Sequence, residues 1–211
     1  MKVNSLMSGI NIKKKQSWIG LFQDIYTLVY CMIIIPLSMY NLIYNTNIID
    51  WKINLFSYVY FIITGLINLY YWELNFVLHH IICIGLIWTG NNNSNIEYHL
   101  WISKCYLAEI SNIFLSGKNI LGYFRIKGYI QNKIYENVND ALFVLSYFIV
   151  RIFLLIPYSF VHLYFNYCNG LIYEYFNFIF INVFMMTLLN IYWCWLIIKK
   201  IIKLLNKKKD E

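Results

Sequence analysis

Two adjacent histidines, His79 and His80, stand inside a run that is otherwise apolar, Trp72 to Gly90, with one acid, Glu73, just ahead of them. Imidazole is the side chain best suited to passing a proton near neutral pH. The next apolar run carries a carboxylate, Glu109, and there Cys105, Glu109, Asn112 and Ser116 recur at the spacing of one helical face. A third candidate charge is Arg151, and a further amide, Asn190, lies in the last apolar run. Neighbouring residues of a helix point about 100° apart, so one imidazole can look into a chamber while the other meets an adjacent helix. That divergence argues against a shared metal, which the H-E-x-x-H spacing would serve. The five cysteines include no C-x-x-C pair, and neither a metal nor an organic cofactor is expected. The same side chains also suit structural work, as interhelical hydrogen bonds from the histidines, Asn112 and Asn190 and as an ion pair between Glu109 and Arg151.

The elements that must position these groups follow from composition. Of 211 residues, 60% are hydrophobic and 13% charged, against about 25% charged in a soluble domain. The expected fold is an all-α, polytopic membrane bundle of six transmembrane helices. Its spans run from about Trp18 to Tyr44, Ile53 to Tyr71, Leu74 to Thr89, Ile96 to Leu115, Asp140 to Phe165 and Tyr175 to Ile198. The first reads as a retained signal anchor. The longest connection, Gly117 to Asn139, is expected on the membrane surface, partly as an amphipathic helix. The domain reading is a basic N-terminus over residues 1–16, the transmembrane domain over 17–205 and a basic tail over 206–211.

Charge sets the orientation. Fourteen of the seventeen Lys and Arg residues fall in the N-terminus, the fourth-to-fifth connection or the tail. By the positive-inside rule all three are cytoplasmic. The net charge of +7 is thus topogenic, and no nucleic-acid surface is expected. At 1.5 Å per residue, His79 and His80 lie about 10 Å in from the cytoplasm, Glu109 about 14 Å and Asn190 about 13 Å. Polar groups at that depth must face the bundle interior. A chamber in the cytoplasmic half is therefore expected, lined by Glu73, Cys105, Asn112, Asn190 and Arg151 beside the histidines and Glu109. Trp193, Tyr192 and Trp195 read as an interfacial aromatic belt. The final four residues, Lys208-Lys209-Asp210-Glu211, form a K-K-x-x pattern like a dilysine retrieval signal, an address rather than an anchor.

Three blocks carry a family resemblance. They are Glu73 with His79-His80, the stretch AEISNIFLSGKNIL over Ala108–Leu121, and the pair VRIFLLIPY, Val150–Tyr158, with LNIYWCWLIIK, Leu189–Lys199. In order and spacing over about residues 18–205 they resemble the TLC-domain family, and the second block resembles its smaller members of the ceroid-lipofuscinosis and TLC-domain-containing kind. The resemblance implies a six-helix fold in the endoplasmic reticulum and a lipid-associated role. In ceramide synthases of the family a His-His pair and two acids one turn apart join a sphingoid base to an acyl-CoA. Here the pair is His79-His80, and the acid positions are occupied by Cys105 and Glu109.

Two functions are expected in turn. One is lipid homeostasis through an intramembrane lipid-binding chamber, with membrane lipids and membrane proteins as partners. The other is an acyl-CoA-dependent N-acyltransferase in which His79, His80 and Glu109 are catalytic. A channel or transporter has less to support it, since no ring of charges repeats and no broken helices recur in two similar halves.

Overall fold

Inside a bilayer, polar side chains are driven toward one another and apolar ones outward, and the helices of this chain are patterned accordingly. The structure, a computed structural model, describes residues 17–44, 51–91, 96–130, 132–168 and 176–209. Their regular elements are all helical. In chain order they are α1 (Trp18–Tyr44), α2 (Trp51–Tyr70), α3 (Leu74–Asn91), α4 (Ile96–Leu107), α5 (Ile110–Ile126), α6 (Ile134–Ser146), a π-helical segment (Tyr147–Leu155), α7 (Ile156–Cys168) and α8 (Phe176–Lys209).

Helical stretches long and apolar enough to cross a membrane occupy Trp18–Tyr44, Ile53–Tyr70, Ile134–Phe165 and Asn177–Lys203, and Leu74–Thr89 is a shorter apolar helix. The remaining crossing is α4 and α5 together, interrupted at Ala108-Glu109. The bundle thus has six helical passes. Each buries a polar stripe. On α1, Gln23, Thr27, Ser38 and Asn41 are buried while Phe22, Ile25, Val29, Met32 and Ile33 are exposed. On α2 the buried set is Asn54, Ser57, Thr64 and Asn68, and Leu55, Val59, Ile62 and Leu66 point out. The two stripes join. Gln23 Nε2 donates to Asn68 Oδ1 at 2.9 Å, the Tyr60 hydroxyl to Thr27 Oγ1 at 3.2 Å, and the Tyr30 hydroxyl to Ser57 Oγ at 3.3 Å. Tyr30 and Tyr60 stack at 3.7 Å between ring centroids. Where α3 meets α8, Gly85 makes the approach possible: a Cβ there would stand 3.2 Å from Phe178 Cζ and 3.3 Å from Asn182 Oδ1.

Two helix ends share one device. After α2, the Trp72 N–H donates to Leu69 O (3.0 Å) and the Glu73 N–H to Asn68 O (2.8 Å). After α5, the Gly128 N–H donates to Arg125 O (3.0 Å) and the Tyr129 N–H to Phe124 O (2.9 Å). Both are Schellman closures, which need a left-handed residue at the turn. Gly128 supplies φ +82° without strain, whereas Trp72 holds φ +56° against its own Cβ. The Trp72 side chain is 68% exposed, so little packing offsets that strain. Trp72→Gly is therefore expected to stabilise the protein by about 1 kcal/mol, read as a raised thermal midpoint in detergent; an unchanged or lowered midpoint would contradict the strain.

The long surface connection expected between the fourth and fifth spans is much shorter. Helix α5 continues unbroken to Ile126 and α6 begins at Ile134. Gly117 does not end the helix. It admits Asn139 of α6, whose Oδ1 would lie 2.9 Å from a Cβ at that position and whose Nδ2 donates to Phe114 O at 2.6 Å. The basic residues serve as rungs between these helices: Lys118 pairs with Asp140, Arg125 Nε with Glu136 Oε1 at 2.9 Å, and Lys200 of α8 reaches the other oxygen of Asp140 at 3.8 Å. Gly117→Ala is expected to displace Asn139 and cost about 1 kcal/mol. The loss should vanish when Asn139→Ala is already present, and a double-mutant cycle on thermal midpoints checks it.

Candidate functional site

The interruption between α4 and α5 places Glu109 at the first turn of a new helix. Backbone bonds there run three residues back, Ala108 N to Cys105 O, Glu109 N to Tyr106 O and Asn112 N to Glu109 O, so the turn tightens without orphaning its amides. The Cys31 thiol of α1 donates to the Glu109 carbonyl at 3.6 Å. Opposite, the π segment presents Tyr147 and Arg151, both buried, to the bundle interior. Such segments inside α-helices are frequent at functional sites, because the widened turn re-aims side chains.

Arg151 is 2% exposed and is held by two helices, α5 and α8. Its Nε donates to Ser111 Oγ (2.8 Å), its Nη2 to Asn112 Oδ1 (3.1 Å) and its Nη1 to Asn190 Oδ1 (3.4 Å). The guanidinium also lies 5.8 Å from the ring centroids of both Tyr147 and Trp193. The expected direct ion pair with Glu109 is not formed. Asn112 stands between them, donating Nδ2 to Glu109 Oε2 at 2.6 Å while its oxygen accepts from Arg151. One amide thus spans the gap that the two charges leave.

Two cavities meet at this point. One, of about 370 Å³, is the more polar of the two at its walls and is bounded by Gln23, Glu73, His80, Ser111, Lys118 and Trp193 among others. The second, of about 60 Å³, is largely apolar and reaches past Cys83 and Cys105 to Leu86, Trp101 and Val183, with Glu109 and Asn190 at its wall. His79 and Arg151 line both. From His79 to Leu86 along α3 the narrow cavity runs about 10 Å.

The two histidines do diverge. His79 Nδ1 is 3.3 Å from Met186 Sδ, Cys83 Sγ is 3.6 Å from Nε2, and the Trp193 ring lies edge-on at 5.5 Å. His80 turns toward α2, where Gly65 leaves room for it: a Cβ there would sit 3.4 Å from His80 Nδ1. Of the residues expected at the chamber, Glu73, His80 and Asn112 border the larger cavity, and Cys105, Glu109 and Asn190 the smaller. The side chains of Lys208 and Lys209, and all of Asp210-Glu211, lie outside the described residues.

Several site residues escaped the sequence reading. Trp193 is not a belt aromatic: it stacks on Phe76 at 5.4 Å and closes over His79 and Arg151, while Tyr192 and Trp195 are exposed as expected. Its place three residues after Asn190, on the same face, is the signal that was available. Trp101 lines the narrow cavity, 1% exposed, stacked on His162 at 5.6 Å, with its indole N–H donating to Ser159 Oγ at 3.2 Å.

The family model of the TLC domain matches residues 15–199. The chain belongs to the TLC-domain family. No curated protein and no solved structure matches it. The matched stretch takes in every residue of the two cavities, so the site lies wholly within the TLC domain.

Proposed function

We propose that this TLC-domain protein acts in membrane lipid homeostasis by holding one amphiphilic lipid in its paired cavities. The observation that carries this reading is the junction at His79 and Arg151, where the more polar room adjoins a largely apolar one. A headgroup is solvated in the first and a chain end is taken out of water in the second. The larger volume, about 370 Å³, falls in the range of about 300–1,000 Å³ that suits small-molecule sites. The basic termini support a cytoplasmic opening for the polar room. The endoplasmic-reticulum membrane is the proposed location, supported by membership of the TLC-domain family. Deleting the gene is expected to change the abundance of at least one lipid class, with restoration by the wild-type chain and not by Arg151→Gln. An unchanged lipid profile counts against the reading.

A second reading is acyl transfer to an amine. Its support is that His79 borders both rooms, so its imidazole would face the headgroup end of an acyl chain in the narrow cavity. Against it, among the described residues no carboxylate oxygen lies within hydrogen-bonding distance of His79, whose neighbours are Met186 and Cys83. Purified protein given a sphingoid base and a long-chain acyl-CoA decides it: turnover lost in His79→Ala establishes transfer, and no turnover removes it.

A further inference from the structure

At the throat between the cavities, hydrogen-bond donors outnumber acceptors. Arg151 carries five N–H donors, and three of its hydrogen bonds are accounted for, to Ser111, Asn112 and Asn190. The Asn190 side chain accepts through its oxygen, which fixes which end of the amide faces the guanidinium; turning the amide over would set donor against donor. Its nitrogen, Nδ2, is then left in a residue 1% exposed with no hydrogen-bond partner among the described residues. A buried donor without an acceptor keeps the full cost of its desolvation, so a residue that lines a cavity and keeps such a donor invites an acceptor from that cavity.

The acceptor is constrained by charge. Arg151 already has Glu109 at one remove, through Asn112. The pair is close to neutral, so a second carboxylate in this poorly solvated place would be left uncompensated. A neutral oxygen at the head of an apolar chain meets both demands, with the chain running from the throat toward Leu86 and Trp101.

We propose that Asn190 Nδ2 and the spare N–H groups of Arg151 form a seat for the acyl carbonyl oxygen of a single-chain ester or thioester lipid. This rests on the lipid-holding reading above and assigns residues within it. Asn190 and Arg151 are positioning groups: they fix how far the chain enters the narrow cavity, and they set the carbonyl carbon beside His79. The bond pattern is that of an oxyanion-type site, two donors converging on one oxygen.

The test compares ligands that differ only in that oxygen. Binding of a 1-monoacylglycerol and its 1-O-alkylglycerol ether, and of a long-chain acyl-CoA and its S-alkyl-CoA thioether, is measured on the purified full chain in nanodiscs. The carbonyl member of at least one pair is expected to bind about tenfold or more tightly than its partner, and the pair that discriminates identifies ester or thioester as the source. In Asn190→Asp, which keeps the shape and offers Arg151 a carboxylate in place of the amide donor, the discrimination is expected to disappear while the ether still binds. Retained binding of the ether in the same preparation separates loss of the seat from loss of the fold. Asn190→Leu, which removes both polar atoms, gives the same readout from the opposite direction. Equal binding within both pairs in the wild type, or discrimination that persists in both variants, overturns the seat and leaves the lipid-holding reading intact. Failure of every ligand to bind overturns the lipid-holding reading itself.

Discussion

Replacing Arg151 with alanine is expected to be the most damaging single change in this protein, costing about 3–5 kcal/mol. Three acceptors lose their donor at once, Ser111 Oγ and Asn112 Oδ1 on α5 and Asn190 Oδ1 on α8. Asn112 then has only Glu109 to hold, and Glu109 is left 4% exposed without the cation that balanced it. The Tyr147 and Trp193 rings lose the group between them. In a membrane this matters more than in water, because no solvent is present to take over abandoned hydrogen bonds. The measurement is the yield of monodisperse protein on size-exclusion chromatography and its thermal midpoint. Arg151→Lys keeps the charge but not the planar fork, which a lysine's single ammonium cannot replace at three separated acceptors. It is expected to fall between alanine and wild type. An alanine variant as stable as the wild type would mean that the network is decoration.

Trp101→Ala is expected to follow closely, with a loss of about 3–5 kcal/mol. The indole is among the largest fully buried side chains, it stacks on His162 with planes within 3°, and its N–H is satisfied by Ser159. Removing it leaves a void that the surrounding helices can only partly close, and an orphaned serine hydroxyl. Trp101→Phe keeps most of the volume and loses only the hydrogen bond, so about 1 kcal/mol is expected. The contrast separates packing from polarity. Because Trp101 lines the narrow cavity, the alanine variant also enlarges the room for a chain. If it folds at low temperature it should retain longer-chain lipids than the wild type does, read by mass spectrometry of what copurifies. A Trp101→Ala midpoint within a degree or two of wild type would contradict the packing.

These two residues differ in how visible they are in the sequence. Arg151, like His79, His80, Glu109 and Asn190, is polar inside an apolar run, and the cost of placing such a group in lipid forces it inward. That one constraint suffices to gather them, and they do border the same pair of cavities. Trp101, Trp193 and Tyr147 carry no such signal. An aromatic residue near a span end suits the interface, the core and a cavity wall equally well, and only three-dimensional neighbours decide between them. The small polar stripes on α1 and α2 were present in the sequence as Gln23, Thr27, Ser57, Thr64 and Asn68, yet each alone is tolerable anywhere in a helix, so their alignment shows only once both helices are built.

The fold was legible for the same reason the site was, through apolar length and charge position. Its misreadings are local. The connection expected to begin at Gly117 begins later: Gly117 serves close packing against Asn139 inside α5, and the stop comes at Gly128, where the backbone takes a positive φ. The break at Ala108-Glu109 falls on two good helix formers, and the π segment at Tyr147–Leu155 is an apolar run like the spans around it, so neither leaves a mark in composition. Those two irregularities are what turn Glu109 and Arg151 toward each other across Asn112.

The central claim is that the paired cavities hold one lipid at the junction of His79 and Arg151. Native mass spectrometry of the purified chain released from nanodiscs tests it most directly, with Leu115→Trp, which places an indole at the wall of the larger cavity, as the comparison. One lipid per chain is expected to survive removal of the bulk membrane in the wild type and to be absent from the filled variant at equal thermal stability. A wild-type chain that emerges without bound lipid, or a filled variant that retains as much, would contradict it.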